Sequence, residues 1–233
     1  MSATTDSGPS RGFAAAAWRP AGLLYLAFLL AGLALGLWPE IVHVARQGLA
    51  AAPRPALQTV ALSQAAFFLL AQPLASLTRR APNGAPLRLP HLVVETAVLL
   101  LVGIPFVAAA AYVSDADVRD AVRAMLAVGG LIPLSWGTWA WMASSGRLRP
   151  WIVLVLLIVS LGLPCAWYIA TEFMTPGPIR WLWELSPAAF VWGSAGSRVE
   201  AWLPRPFWAW LVWPIAGTLA MLLRAVAGRN PQR

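Results

Sequence analysis

The sequence predicts an all-α, polytopic integral membrane protein with six transmembrane helices, and three observations lead to this prediction. First, 59% of the 233 residues are hydrophobic and 11% are charged, whereas a soluble domain has roughly 25% charged residues with which to cover its core. Second, the apolar residues are collected into six long runs. Third, all 17 basic residues are arginines, and most of them lie between those runs.

The six apolar runs form one predicted transmembrane domain, residues 21–227. A helix needs about 20 mostly apolar residues to cross the hydrocarbon layer, and each run meets or approaches that length. We expect residues 1–20 to be a cytoplasmic N-terminal segment and 228–233 a cytoplasmic tail. The first run is predicted to be an uncleaved span, because no small-residue cleavage motif follows it. The predicted spans are 21–38, 56–77, 91–113, 122–144, 150–171 and 206–227.

The arginines also predict the orientation, because basic loops stay in the cytoplasm. The gaps after the second and fourth runs are basic, and the gap after the third run, 114–120, is acidic. Both termini are therefore expected inside, although the gap 39–55 is weakly basic and is expected outside. The lack of lysine and the abundance of alanine, proline and glycine indicate a high-GC bacterial genome, so we predict the bacterial inner membrane. The arginines of the inner gaps are Arg79, Arg80, Arg88, Arg147 and Arg149.

Half of the tryptophans lie in or next to the predicted outer segment, residues 172–205. Seven of the 14 fall within 181–213, and tryptophan favours the headgroup layer, where its ring is buried and its N–H stays hydrated. The stretch 179–195 is too short and polar to span, so we predict one or two short helices that lie on the outer face or dip into it. Ser186 followed by Pro187 is typical of a helix start. The alternative is an aromatic girdle with no specific role. The residues singled out in this segment are Trp181, Trp183, Ser186, Pro187 and Trp192.

The second run carries a polar stripe. Four polar side chains fall within an arc of roughly 120° on a helix of that run. The stripe is not expected to face lipid, because unpaired amides in hydrocarbon are costly. It predicts a translocation path, a surface for a subunit partner or a hydrogen-bonded seam between helices. Its members are Gln58, Gln64, Gln72 and Ser76.

The sequence carries no catalytic, cofactor-binding or metal-binding signature, and we expect the chain not to be an enzyme. The two histidines, His43 and His91, are predicted to lie on opposite sides of the bilayer, and Cys165 is the only cysteine. Glu95 lies four residues after His91 on the same helix face, near the cytoplasmic end of its span. We expect a shallow carboxylate paired with Arg88 or His91, not a proton relay. Nucleic-acid binding is not expected, because loop orientation already accounts for the arginines.

Three short motifs complete the layout. A basic, glycine-containing stretch follows the second run, a serine-bearing stretch lies in the fourth, and a Ser-Pro stretch lies in the outer segment. They read Ala75-Ser76-Leu77-Thr78-Arg79-Arg80 with Asn83-Gly84 and Leu87-Arg88-Leu89-Pro90, then Leu134-Ser135-Trp136, then Leu185-Ser186-Pro187-Ala188-Ala189-Phe190. With these motifs, six spans and cytoplasmic termini, the chain resembles the permease subunit of type-2 (ABC-2 class) ABC exporters.

This resemblance implies a permease that moves a substrate across the inner membrane with energy from a separate ATPase subunit. The implied partners are a cytoplasmic ABC ATPase, a second permease copy or paralogue, and the lipid bilayer. The chain itself would hold no cofactor, because ATP would be bound by the ATPase. A second hypothesis is a non-catalytic structural subunit of a respiratory, photosynthetic or secretion complex, which the tryptophan content and apolar interior fit equally. The ATPase-coupling loop that the resemblance implies contains Arg79, Arg80, Asn83, Gly84 and Arg88.

Overall fold

The computed structural model contains only helices as regular elements in the part of the chain that it describes, and no strand occurs there. This confirms the all-α fold class, which follows from the need to satisfy every backbone N–H and C=O internally in hydrocarbon. The described residues are 12–47, 55–79, 88–144, 147–163, 166, 186–195 and 207–228. The helices are α1 Gly12–Gln47, α2 Ala56–Thr78, α3 Leu89–Val113, α4 Val118–Ser144, α5 Arg149–Gly162, α6 Pro187–Ser194 and α7 Phe207–Gly228.

Five of these helices hold a stretch that is long and apolar enough to cross a membrane. The stretches coincide with the first, second, third, fourth and sixth predicted spans. The fifth predicted span, 150–171, is described mainly through α5, which is shorter than the about 20 residues that a crossing needs. Most of its second half lies outside the described residues, so the count of six stays a prediction. The five stretches are Pro20–Trp38, Ala56–Thr78, Leu89–Val113, Val118–Ser144 and Trp210–Ala227.

Helix α2 lies at the centre and packs against α1, α3, α4, α5 and α6. Small residues allow the close approach of α1, which runs antiparallel to α2. A Cβ atom added to Gly36 would collide with the backbone of Ala56 and the hydroxyl of Thr59, and one added to Gly32 would collide with Ser63. The spacing of Gly32 and Gly36 is the G-x-x-x-G pattern that lets membrane helices pack with their backbones close together.

Helices α4 and α7 run parallel to each other in close contact. The bare Cα of Gly217 in α7 faces the backbone of Pro133 in α4. Two turns farther along α4, the indole N–H of Trp141 donates to the Ala220 carbonyl of α7 at 2.9 Å. Residue numbers therefore increase in the same direction along α4 and α7, so the two helices are parallel. The rest of the α7 surface is open, since only 6% of its span is buried within the chain.

Helix α2 departs from regular α-helical geometry near Pro73, which has no N–H to donate. The stretch Phe67–Ala71 winds as a π-helix, in which the Gln72 N–H bonds to the carbonyl five residues back. The Phe68 carbonyl loses both helical donors, because residue 72 is engaged elsewhere and residue 73 is proline. The hydroxyl of Ser135, in α4, donates to this carbonyl instead. The contact satisfies a buried backbone acceptor and joins α4 to α2.

Hydrogen bonds connect neighbouring helix ends at two places, one at each end of α4. The α3–α4 turn passes through Asp115 with φ of 51°, a left-handed conformation that aspartate tolerates. The neighbouring Ser114 hydroxyl accepts a hydrogen bond from the Leu57 N–H in the first turn of α2, at 3.0 Å. At the other end of α4, the Arg149 guanidinium donates to the Met142 carbonyl at 2.8 Å. The start of α2 therefore lies beside the α3–α4 turn, and the start of α5 beside the end of α4.

Candidate functional site

Polar side chains of α2, the central helix, meet polar groups of the neighbouring helices at three places. They form three groups, at the Arg79 end of α2, at its middle around Gln64, and at the Ala56 end. Polar groups inside membrane-spanning helices are costly unless they are paired, and they commonly mark functional positions. Helix α2 and its neighbours therefore carry the candidate site.

At the Arg79 end, an ion pair connects α2 to α3. The Arg79 Nη2 atom donates to both Glu95 carboxylate oxygens, at 2.7 and 2.9 Å, and to the Ser76 hydroxyl at 3.2 Å. The Glu95 side chain is 5% exposed and that of Arg79 16%. Because Glu95 is almost fully enclosed, its negative charge requires this partner. The pair fixes the Arg79 end of α2 to the first turns of α3.

Directly after Glu95 in α3, the Thr96 hydroxyl joins three helices. It accepts a hydrogen bond from the Gln72 amide of α2 at 3.0 Å and one from the Trp136 indole of α4 at 3.3 Å. It donates its own proton to the Leu92 carbonyl within α3, at 2.7 Å. A hydroxyl can accept two hydrogen bonds and donate one, so Thr96 is fully satisfied. The hydrogen bonds hold α2, α3 and α4 in a fixed register.

In the middle of the bundle, Tyr25 of α1 and Gln64 of α2 converge on Gly103 of α3. Both side chains are fully buried. A Cβ atom added to Gly103 would collide with the Tyr25 hydroxyl and with the Gln64 amide nitrogen. Neither the hydroxyl nor either polar atom of the amide has a hydrogen-bond partner among the described residues. The rings of Phe67 and Phe68 pack against Tyr25, with centroid distances of 4.8 and 5.5 Å.

At the Ala56 end, the short helix α6 packs between α2, α4 and α5. The Gln58 amide donates to the Trp192 carbonyl in the last turn of α6, at 3.4 Å. Phe190 of α6 contacts Trp210 of α7 edge-to-face, with ring centroids 5.0 Å apart. The prediction that a short helix begins at Ser186 is confirmed, because the Ser186 hydroxyl caps the Ala189 N–H at 3.3 Å.

The start of α6 is attached to α5 by a second hydrogen bond of the same hydroxyl. Ser186 donates to the Ser160 carbonyl of α5 at 3.0 Å. The normal helical donor to that carbonyl would be residue 164, which is a proline and has no N–H. The stretch Ile158–Gly162 is also wound as a π-helix. Ser186 thus supplies a donor to a carbonyl of α5 whose α-helical donor position is a proline.

The structure separates the residues of the predicted coupling loop. Arg79 points into the bundle and is engaged with Glu95, whereas Arg88 is exposed at the start of α3. The other three members, Arg80, Asn83 and Gly84, lie outside the described residues. Glu95 is paired, as the sequence predicts, but the partner is not Arg88 or His91. Spacing along one helix could not predict Arg79 as the partner of Glu95, because Arg79 follows α2 whereas Glu95 lies on α3.

The predicted stripe on α2 faces other helices of the same chain. Gln64, Gln72 and Ser76 are 0%, 1% and 3% exposed, and Gln58 is half-buried against α6. Of the three alternatives, the contacts match the seam between helices. In the outer segment, Ser186 and Pro187 are buried and Trp192 is half-buried. Trp181 and Trp183 lie outside the described residues.

The sequence analysis missed Tyr25, Thr96 and Gly103. Each had a weak signal: Tyr25 and Thr96 are polar side chains inside apolar runs, and Gly103 is a glycine in the middle of a span. All three lie where α1, α2 or α4 contacts α3. Contacts between helices depend on helix packing and cannot be predicted from the pattern of a single apolar run. Within the described ranges, no three His, Cys, Asp or Glu side chains are grouped so that they could hold a metal ion.

A comparison of the chain with protein families, with curated proteins and with solved structures found no match. The function is therefore argued from the arrangement of α2 and its neighbours. That arrangement offers one enclosed ion pair, a three-helix hydrogen-bond junction and a buried pair of neutral polar side chains. It holds the helices in register.

Proposed function

We propose that the chain is the permease subunit of an ABC-type exporter, which moves a substrate across the bacterial inner membrane with energy from a separate ATPase. The observation that carries the proposal is the position of α6. Its N-cap residue, Ser186, donates to the carbonyl of Ser160, which lies about 16 Å beyond the start of α5 at roughly 1.5 Å per residue. That is about half of the ~30 Å hydrocarbon layer. A short helix that dips to mid-membrane between the last two spans matches the outer helices of the family that the sequence resembles.

The Arg79 end of α2 supports the proposal in a second way. A permease without a nucleotide site must receive force through its cytoplasmic loops. The loop after α2 is bounded by Arg79 and Arg88, and the ion pair with Glu95 makes α2 and α3 move as one unit at that end. A displacement of this loop would therefore be transmitted to two helices and, through Thr96, to α4.

The test is purification of the tagged chain in mild detergent, with identification of the bound subunits by mass spectrometry. We expect an ABC ATPase to be recovered with the wild-type chain. Replacement of both Arg80 and Arg88 by Gln should weaken this association at least several-fold, because two positive charges of the loop are lost. Arg79 is kept, because its substitution would break the ion pair with Glu95. Absence of any ATPase from the wild-type complex would contradict the proposal.

The matched control replaces Arg147, an exposed arginine of the other predicted inner loop, by Gln. Reporter fusions should show that both variants keep the wild-type topology, since Arg79 and Arg149 still bias the loops. An equal loss of ATPase in the control would mean that the effect is not specific to the loop after α2.

The second candidate function, a non-catalytic structural subunit of a respiratory, photosynthetic or secretion complex, is favoured by α7. Only 6% of its span is buried within the chain, so a wide apolar face is left for lipid or for other subunits. The same purification separates the two functions, because redox or secretion subunits in place of an ATPase would support this second candidate.

A further inference from the structure

The start of α5 and the last turns of α7 both lie beside the end of α4. At the start of α5, the Arg149 guanidinium donates to the Met142 carbonyl in the last turn of α4, at 2.8 Å. On the neighbouring helix α7, the Ala220 carbonyl accepts from the Trp141 indole of α4. Arg224 follows one turn later, about 6 Å farther along α7. Arginines from two different helices therefore approach the end of α4.

No acidic side chain neutralises this end of α4 within the described residues. Arg147, in the connection between α4 and α5, is exposed, as is Arg149, and Arg224 is half-buried. None of the three belongs to an ion pair in the described part of the chain. The one carboxylate described at this end of the bundle is Glu95, which is enclosed and already paired with Arg79. Three positive charges are thus left for a partner outside the chain.

The helix surfaces next to these arginines are apolar and exposed. On α5, Trp151 lies two residues after Arg149 and is 64% exposed, and Val155 follows one turn later on the same side. On α7, Leu219 and Leu223 are exposed on one side of the helix. Tryptophan favours the headgroup layer, where its ring is buried and its N–H stays hydrated. A ligand at this place would meet positive charge at one end and apolar side chains along its length.

We propose that Arg147, Arg149 and Arg224 form a binding surface for the phosphate group of an anionic phospholipid, whose acyl chains lie along the exposed faces of α5 and α7. Guanidinium groups match phosphate in charge and in hydrogen-bonding geometry, and basic surfaces between membrane helices bind anionic headgroups. A zwitterionic headgroup fits less well, because its ammonium group is repelled by the arginines. The surface is independent of the proposed exporter function, since it depends only on the packing of α4, α5 and α7.

The first test compares two phospholipids with the same acyl chains, phosphatidylglycerol and phosphatidylcholine. Each is titrated into the full chain, purified and delipidated in a nonionic detergent, and the rise of the thermal unfolding midpoint gives an apparent affinity. The anionic lipid should bind at least about fivefold more tightly, and high salt should reduce this preference by screening the charges. Equal affinities for the two lipids, or a preference that salt does not change, would overturn the proposal.

The second test removes two of the arginines. Arg147→Gln is combined with Arg224→Gln, and Arg149 is kept because it also holds the start of α5 to Met142. Each lost arginine should weaken the binding of phosphatidylglycerol about fivefold, and the double variant about 25-fold. A double variant that binds this lipid as tightly as the wild type would overturn the proposal.

A charge-preserving variant separates the loss of charge from a folding defect. Arg147→Lys combined with Arg224→Lys keeps both positive charges, and lysine contacts phosphate as a point charge. This variant should bind phosphatidylglycerol more tightly than the Gln variant does. Equally weak binding by the two variants would mean that the charges do not hold the lipid.

The matched control removes two exposed arginines elsewhere, Arg88 at the start of α3 and Arg119 in the first turn of α4. Replacement of both by Gln lowers the net charge by the same amount as the test variant. The affinity for phosphatidylglycerol should stay close to that of the wild type. An equal loss in this control would indicate diffuse attraction to a basic chain and would overturn the proposed surface.

Discussion

The ion pair of Arg79 and Glu95 combines two charges that a membrane interior disfavours separately. Desolvation of an ion costs several kcal/mol, and the mutual attraction offsets that cost only when the geometry is good. Here one guanidinium nitrogen contacts both carboxylate oxygens within 2.9 Å, and Arg79 retains some contact with the surroundings. The pair therefore stabilises the local arrangement mainly because removal of either partner leaves the other charge enclosed.

The first prediction concerns Glu95→Gln. The substitution leaves the Arg79 guanidinium without a counter-charge, and we expect a loss of about 1–3 kcal/mol in stability. The double variant Arg79→Gln with Glu95→Gln should recover part of this loss, because two amides can hydrogen-bond without charge. Thermal unfolding in detergent measures both effects. The control is His91→Gln, at an exposed neighbouring position. If Glu95→Gln were as stable as the double variant, the proposed role of the ion pair would be contradicted.

At the residue scale, single-helix reasoning predicted which side chains are special but not which ones meet. Glu95 stood out as an acid in an apolar run, and its pairing is confirmed, whereas the predicted partners Arg88 and His91 are wrong. Its partner lies sixteen residues earlier on the neighbouring helix. Gln64 stood out in the stripe, yet its neighbours Tyr25 and Gly103 belong to two other helices. Such meetings depend on the register between helices, which periodicity within one run does not contain.

At the scale of elements, a serine hydroxyl donates to a backbone carbonyl at each of two π-helical turns. In α2 and in α5, a π-turn ends two residues before a proline, at Pro73 and Pro164. In α2 the Phe68 carbonyl has no helical donor, and in α5 the α-helical donor position for the Ser160 carbonyl is a proline. A serine hydroxyl from outside the helix donates to each of them: Ser135 for α2 and Ser186 for α5. Membrane helices tolerate proline where neighbouring side chains re-satisfy the backbone. These serines therefore connect helices through the irregular turns themselves.

The second prediction tests this connection with Ser135→Ala. Removal of the hydroxyl leaves the Phe68 carbonyl unpaired, which should cost about 1 kcal/mol in a membrane protein and lower the unfolding midpoint by about 2–4 °C. Ser144→Ala is the matched control, because Ser144 is exposed on the same helix and bonds only within its own turn, to the Trp141 carbonyl. Equal midpoints for the two variants would mean that the Phe68 carbonyl does not depend on Ser135.

The positions of the helices could be predicted from the sequence better than the contacts between them. Runs of apolar residues gave helices at the predicted positions, and Ser186 with Pro187 marked the start of α6 because an N-cap and a first-turn proline act locally. Pro133 does not end α4, which continues to Ser144. The π-turns could not be predicted, since a proline is compatible with a kink, a break or a bulge.

At the scale of the whole molecule, the contacts arrange the helix ends on two faces. The Ser114 hydroxyl beside the start of α2 places the α3–α4 turn and the Ala56 end of α2 on one face. The bond from Gln58 to Trp192 brings the end of α6 to that same face. The start of α5 lies on the opposite face, where Arg149 contacts the end of α4. The chain must therefore pass from one face to the other between Arg149 and Trp192.

The parallel packing of α4 and α7 also requires the chain to pass from one face to the other between these two helices. Two consecutive spans that follow each other directly run antiparallel, whereas contacts of Gly217 with Pro133 and of Ala220 with Trp141 make α4 and α7 parallel. An odd number of crossings must then separate them. The apolar helix α5 is the candidate for this crossing, and the six crossings that the sequence predicts would satisfy the requirement.

The last prediction is that six-crossing topology, tested with reporter fusions along the chain. Fusions after Arg88, Arg149 and Arg224 should report the cytoplasm, because arginine-rich gaps stay inside. Fusions near Asp117 and Gly196 should both report the outside, because the contacts of Ser114 and Trp192 with the first turns of α2 put them on one face. Asp117 serves as the internal reference, since it lies in the turn between two described spans. A cytoplasmic signal at Gly196 with an outside signal at Asp117 would contradict the fifth crossing, and with it the packing of α6 against the Ala56 end of α2.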